Sequence, residues 1–366
     1  MFVYIVPIFI LLAGIIQCDI RGAKRLEKPI LSILFLYLTV LIGLRYEVGG
    51  DTLNYMGDYQ WRVPLNEWTP NLSDPFQPGY VFLCSLSKSI SPEFYVFQII
   101  HVFLFNLLLF LFVNKNSENK FFTLLCVYVL NYIYFTTEIL RESLAVMIFL
   151  FNYNNVVKRR WVRYYLGVLF GCMFHISSVV LVVIPFLKWV KFDKYYVYLV
   201  LLVVFGTVGL ENFFNNISSW VMVGEKLSLY KDLSSIGLFA GLMNVFRRTV
   251  FPMIIVILLK YGMHLKVKFE NPIAIMTLIG IAAFFSPLIF GRIVNYFMLF
   301  FAVSFGDSMI QLVKANSRTL VNNAKILIVF FLMLYTSNHI MYNSYQRFIP
   351  YYSIFNPISV DRNNYN

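Results

Sequence analysis

Charge is what this chain has least of. Asp and Glu number 18 in 366 residues, charged side chains make up 13% in all, and 59% of positions are apolar, 19% of the whole being aromatic. One water-soluble core cannot hide that much apolar surface. Cysteine is sparse as well: Cys18, Cys84, Cys126 and Cys172 show no close pairing, and three lie in or at the edge of apolar runs, so neither a disulfide framework nor a thiolate metal site is indicated. No glycine-rich phosphate loop, zinc-ligand spacing or serine nucleophile elbow occurs. No Asp-x-Asp pair occurs either, and Asp51 and Asp58 stand seven apart, which leaves metal-dependent lipid-sugar chemistry without its usual acidic pair. Neither metal nor cofactor is expected. Low-complexity tracts, long linkers and internal repeats are missing, so residues 1–366 read as a single domain.

What is present is a succession of apolar runs, with mean hydropathy +0.71. They fall at roughly 2 to 17, 29 to 44, 93 to 113, 121 to 135, 138 to 157, 164 to 174, 176 to 187, 195 to 210, 237 to 261, 271 to 289, 293 to 313 and 324 to 342. The expected fold is all-α: a polytopic membrane protein of about twelve transmembrane or half-length helices, several shorter than the ~20 residues of a perpendicular span. The first run lacks preceding basic residues and a small-residue cleavage pattern, so it reads as a retained helix. Nineteen of the thirty Lys and Arg residues fall in six short loops, among them Arg21 to Lys28, Lys158 to Arg163 and Lys188 to Lys194. The positive-inside rule accounts for those loops and for the net charge of +12 without nucleic acid, and it places both termini outside.

That rule also divides two stretches. A single helix over residues 164 to 187 would put Lys188, Lys191 and Lys194 outside; two short helices meeting near His175 keep them inside, and residues 121 to 157 divide the same way near Thr136, Thr137 and Glu138. The alternative is one tilted helix with an external lysine cluster. Polar tips of short hairpins are tolerated where they line protein or water. A large external loop, about 45–92, holds an amphipathic stretch from Tyr80 to Ser89; a smaller one, about 211–236, carries Phe213, Phe214 and Trp220 as interface anchors.

On this topology one face gathers Arg45, Glu47, Asp51, Asn54, Tyr55, Glu138, Arg141, Glu142, His175, Ser177, Ser178, Arg247, Arg248, Arg292 and Asn295. Ionisable groups at helix ends in a membrane are costly unless they pair or serve a polar pathway. Several arginines with one or two carboxylates and a histidine suit an anionic substrate, since a guanidinium fork binds phosphate through two parallel bonds. The competing account pairs Arg141 with Glu138 as an i,i+3 bridge and Arg45 with Glu47 or Asp51 at the surface. Asp51 and His175 are the two best-placed proton acceptors. Asp51 follows Gly49-Gly50, where backbone or substrate can approach closely, and would equally cap a helix starting at Thr52. His175, at a helix break, would equally be satisfied by Ser177. His101, His264 and His339 lack polar neighbours in the sequence and read as structural.

The run Arg45-Tyr-Glu-Val-Gly49-Gly-Asp51-Thr-Leu-Asn-Tyr55 resembles the Arg-x-x-x-Gly-x-Asp-x-x-x-Tyr signature of the EpsG-like group of Wzy-type polysaccharide polymerases. Gln77-Pro78-Gly79-Tyr80, Arg141 with Ala145, Phe174-His175-x-Ser177 and Arg292-x-x-x-Tyr296 resemble its further elements in order; Glu142 stands where that family usually has Gln, and Gly50 where Thr is common. The resemblance implies a GT-C-like bundle in the bacterial cytoplasmic membrane. It implies that undecaprenyl-diphosphate-linked oligosaccharides are joined at the outer face, with a flippase and a chain-length regulator as partners. Arg141, Arg292 and Arg45 would then hold the diphosphate and Asp51 or His175 the acceptor hydroxyl, with Tyr55, Gln77, Tyr80, Glu138, Ser177, Arg247, Arg248 and Tyr296 lining the substrate. Trp61, Trp68, Tyr55, Tyr59 and Tyr80 would offer faces for sugars. The rivals are an O-antigen ligase, a polyprenyl-phosphate-sugar glycosyltransferase and a transporter of lipid-linked sugars.

Overall fold

The computed structural model describes residues 2–70, 74–193, 246–262, 264–283, 287–314 and 348–357. The runs read at 195 to 210 and 324 to 342 and the loop 211–236 lie outside these residues, as do the side chains of Arg247 and Arg248. Among the described residues the structure is helical, with only isolated bridges between extended segments. They divide into two compact units, Met1–Val179 with Met309–Asn366, and Val180–Ser308.

Among the described residues five stretches are long and apolar enough to cross a bilayer: Phe2–Ile20, Lys24–Gly43, Phe94–Asn116, Lys120–Thr137 and Phe290–Gln311. In the first unit, α1 (Phe2–Gly14) ends in a wider π turn over Ile15–Ile20, and α2 (Lys24–Gly43) returns beside it. A short helix α3 (Thr52–Trp61) and α4 (Pro78–Lys88) fold the first loop; Pro78 opens α4, a position where its missing N–H costs nothing. Then come α5 (Phe94–Asn116), α6 (Lys120–Thr137, with a π turn at Tyr128–Tyr132), α7 (Leu140–Val157) and α8 (Trp161–Cys172). Exposed Phe9, Ile33, Leu36, Leu111, Leu166 and Leu169 form apolar faces that suit lipid.

The two expected breaks are both present. After Cys172, a turn at Met173–His175 leads into a 3₁₀ helix, Ile176–Leu187; the turn closes through Phe174 and His175 N–H groups on the Gly171 carbonyl, each 3.0 Å. A Cβ on Gly171 would come within 3.0 Å of Ser178 Oγ, so the glycine lets the chain fold back. The break at Glu138 and Ile139 follows hydroxyls of Thr136 and Thr137 that donate back to Tyr132 and Ile133 carbonyls at 2.7 Å, a contact that bends helices. The first hairpin differs from expectation in its length: α6, with 18 residues, spans ~27 Å rather than half a membrane.

Three helices of this unit, α2, α6 and α8, each have a basic end and a motif end. Lys24, Lys120 and Arg160 stand at the starts of α2, α6 and α8, where Lys120 pairs with Glu27; Arg45, Glu138 and Met173 follow their far ends. The second unit holds α9 (Phe251–Ile257, flanked by π turns), α10 (Glu270–Ala282) and α11 (Pro287–Lys314) as far as Ser308. Lys260 pairs with Glu270 at 2.6 Å and Lys268 with Asp307 at 2.7 Å. Arg292 therefore lies about 22 Å up α11 from that basic end, at 1.5 Å per residue.

Candidate functional site

Four of the five motif segments meet in the first unit. The floor is the turn after α2. Arg45 is fully buried, and its Nε and one terminal nitrogen donate to the carbonyls of Val48 (3.1 Å) and Ile42 (2.7 Å). Gln98, on α5, donates to the carbonyls of Gly43 and Arg45 at 2.8 and 2.9 Å, and the segment Tyr351–Ile354 pairs its backbone with Leu44 and Tyr46. Burial lowers the Arg45 pKa to about 10, against the pull of Tyr4 and Glu138, so it stays charged at neutral pH. The surface contact with Glu47 or Asp51 weighed from the sequence is not what Arg45 makes; its side chain knits backbone carbonyls.

Gly49 sits at φ +112°, and a Cβ there would lie 2.8 Å from the Thr137 carbonyl, so only glycine fits. This brings Gly50 and Asp51 against Glu138, whose two carboxylate oxygens accept from their N–H groups at 2.8 and 3.2 Å. Burial raises the Glu138 pKa and the two amides pull it back. Asp51 does stand at the start of a helix beginning at Thr52, yet its side chain makes no capping bond and is exposed.

Because Glu138 is engaged by the Gly50-Asp51 turn, the i,i+3 bridge to Arg141 does not form. Arg141 opens α7 half-buried, donates to Gln77 Oε1 at 3.2 Å, and lies 4.3 Å from the Phe76 ring centroid and 5.7 Å from that of Tyr80. Among the described residues its Nε is buried without a partner, and it makes no ion pair. The Tyr55 hydroxyl lies against it: burial raises the Tyr55 pKa, and the Arg141 charge lowers it by a lesser amount. The guanidinium is thus held by an amide oxygen and aromatic rings, leaving its positive charge uncompensated by a carboxylate.

The third wall joins two motifs through backbone. The Gly79 N–H donates to the Met173 carbonyl at 2.7 Å, and a Cβ on Gly79 would lie 2.8 Å from that oxygen. Two residues on, His175 is buried with Nδ1 2.6 Å from Ser177 Oγ, the contact weighed for a histidine satisfied by its neighbour. The aromatic residues of the first loop divide by exposure. Tyr55, Tyr59 and Tyr80 are buried in a cluster with Phe94 and Phe97, so their faces pack on protein, whereas Trp61 is 88% exposed. Arg62 joins Asp58 (2.5 Å) and Asp74; burial would lower the Arg62 pKa, and the two carboxylates more than reverse that.

Arg292 and Tyr296 belong to the second unit, where Arg292 is half-buried and Asn295 and Tyr296 are buried at the start of α11. Sequence reasoning missed Gln98 and Phe76, and it read His101 as structural. His101 Nε2 lies 2.8 Å from the Leu140 carbonyl and 3.3 Å from Ser143 Oγ, which fixes the start of α7. A polar residue inside a long apolar run was the available signal for Gln98; Phe76, in a polar loop, carried none.

These features define a polytopic helical membrane protein with a polar site at one end of its helices, built around a buried arginine-glycine-carboxylate turn and an arginine free of carboxylate. A family model described as the EpsG family matches residues 28–353, and the chain belongs to that family, which places it among the membrane proteins of polysaccharide biosynthesis. No curated protein and no solved structure matches it.

Proposed function

We propose that this protein is a polysaccharide polymerase, a glycosyltransferase that joins undecaprenyl-diphosphate-linked oligosaccharide repeat units at the outer face of the bacterial cytoplasmic membrane, on a GT-C-like bundle of about twelve helices. The observation that carries the reading is Arg141: a guanidinium without a carboxylate, walled by Phe76, Tyr80 and Tyr55, where four motif segments converge. Such a group suits a diphosphate leaving group, because fixed donors aimed at developing charge in a low-dielectric site are worth most in the transition state. The growing chain on its lipid diphosphate is the donor, and a hydroxyl at the non-reducing end of a new unit attacks its anomeric carbon. The C–O bond to the diphosphate breaks, and the hydroxyl proton passes to Asp51 or His175. Arg141 binds the departing diphosphate and takes the place of a metal.

Arg45 and Glu138 act as positioning residues in this scheme: Arg45 shapes the turn after α2, and Glu138 holds Gly50 and Asp51 by their amides. Tyr55, Gln77, Tyr80 and Ser177 support or line the substrate path, and a flippase and a chain-length regulator are the expected partners. The test is polymer length on a gel in a deletion strain complemented with wild type, Arg141→Ala, Asp51→Ala or His175→Ala at matched membrane expression. Single-unit product from Arg141→Ala, and from at least one of the other two, supports the reading. Normal long chains in all three contradict it.

A further inference from the structure

The first loop contains a cavity the reaction scheme does not use. It has a volume of about 330 Å³, at the small end of ligand pockets. Trp61 and Trp68 form two of its walls, Phe76 and Pro78 a third, and Glu67, Asp74 and Ser85 supply polar groups. Three observations bear on what fits there. Trp61 stands 88% exposed, its indole left open by the described residues. Ser85 is fully buried in the wall, and its Oγ has no hydrogen-bond partner, a costly state unless a ligand supplies one. Among the described residues the cation lining the cavity is Arg62, which is already committed to Asp58 and Asp74, so with Glu67 the lining carries surplus negative charge.

Indole faces with carboxylates and a hydroxyl at their rim match a pyranose ring, which has an apolar face of C–H groups and an edge of hydroxyl donors. The surplus of carboxylates repels uronic acids, phosphates and other anionic sugars. The position adds a second constraint. Phe76 is shared: Arg62 lies 5.4 Å from its ring centroid and Arg141 4.3 Å. One aromatic ring therefore separates the cavity from the guanidinium assigned to the diphosphate.

We infer that this cavity is a binding subsite for a neutral, hydroxyl-rich sugar of the repeat unit, stacked on Trp61 and Trp68 and held by Glu67, Asp74 and Ser85, directly beside the leaving-group site. The inference rests on the polymerase reading and adds the class of sugar and its place.

Its test is a titration of the purified full chain in lipid nanodiscs with the repeat-unit oligosaccharide of the producing strain, released by mild acid and free of lipid and phosphate. Wild type should bind it; Trp61→Ala should weaken binding at least tenfold and Glu67→Gln at least threefold, while Arg141→Lys stays within threefold of wild type. Both Trp61 and Glu67 are exposed, so these variants fold, and an unchanged size-exclusion profile confirms it. Ser85→Ala, which removes only the unpartnered hydroxyl, should also weaken binding. No binding by wild type, equal binding by Trp61→Ala, or tighter binding of an oligosaccharide carrying a hexuronic acid would overturn the subsite. Titration with undecaprenyl diphosphate in place of the sugar reports on the polymerase reading separately: its binding should fall in Arg141→Lys and be unaffected in Trp61→Ala.

Discussion

Arg141→Lys keeps the charge and removes the fork. In the structure the guanidinium spends one N–H on Gln77, stacks on Phe76 at 4.3 Å, and has a buried Nε without a partner. An ammonium at the end of a flexible stem loses the second of two parallel bonds to phosphate, worth about 1.5–3 kcal/mol for a bond to a charged group. It also loses part of the cation–π contact, about 0.5–1 kcal/mol. Together these come to about 2–4 kcal/mol, and at 1.36 kcal/mol per factor of ten the rate falls roughly 30- to 1,000-fold. Stability should hardly change, because Arg141 makes no ion pair among the described residues and the bond to a neutral amide contributes about 1 kcal/mol. The assay is turnover by purified protein on lipid-linked repeat units, with thermal unfolding of the same preparation as control. A turnover within threefold of wild type would refute the fork argument, and a loss of turnover matched by a fall of several degrees in melting temperature would reassign Arg141 to structure.

Arg45→Ala leaves the carbonyls of Ile42 and Val48 buried and unmet, which should destabilise the fold by roughly 2–4 kcal/mol; a melting temperature equal to wild type would show that Arg45 is not the structural residue argued above. Gly79→Ala should cost about 1–3 kcal/mol, since the new Cβ would lie 2.8 Å from the Met173 carbonyl and push α4 from the turn before His175; unchanged expression and unfolding temperature would contradict that packing. Polymerisation by purified protein should persist in excess EDTA, because arginine supplies the charge that a divalent ion would otherwise provide; loss of activity restored by Mg²⁺ or Mn²⁺ would count against the scheme.

The helical class, the breaks near Glu138 and His175, and the start of α3 at Thr52 were legible because each depends on local pattern: apolar run length, lysine placement, a polar tip. Arg141 was legible as a residue that orientation does not require. Its state was not, since that depends on where Glu138 turns, and Glu138 turns to Gly50 and Asp51 across 88 and 87 positions of chain. The burial of Tyr55, Tyr59 and Tyr80 was hidden for the same reason: a loop rich in Trp, Tyr and Pro reads as an open aromatic surface until α3 and α4 pack on α5. The pairing of Tyr352 and Ile354 with Tyr46 and Leu44 joins chain ends about 300 residues apart and leaves no periodic trace. Short-range physics reached the motifs; tertiary contacts decided which side chains knit the backbone, as Arg45 and Glu138 do, and which do not, as with Arg141.

The most direct test of the central claim uses purified wild-type protein in nanodiscs, given undecaprenyl-diphosphate-linked repeat units and nothing else that can act. The account predicts polymer whose bonds formed match the undecaprenyl diphosphate released one for one, with both falling together in Arg141→Ala. Folded protein that makes no polymer, or that moves lipid-linked units across a vesicle membrane without joining them, would contradict it.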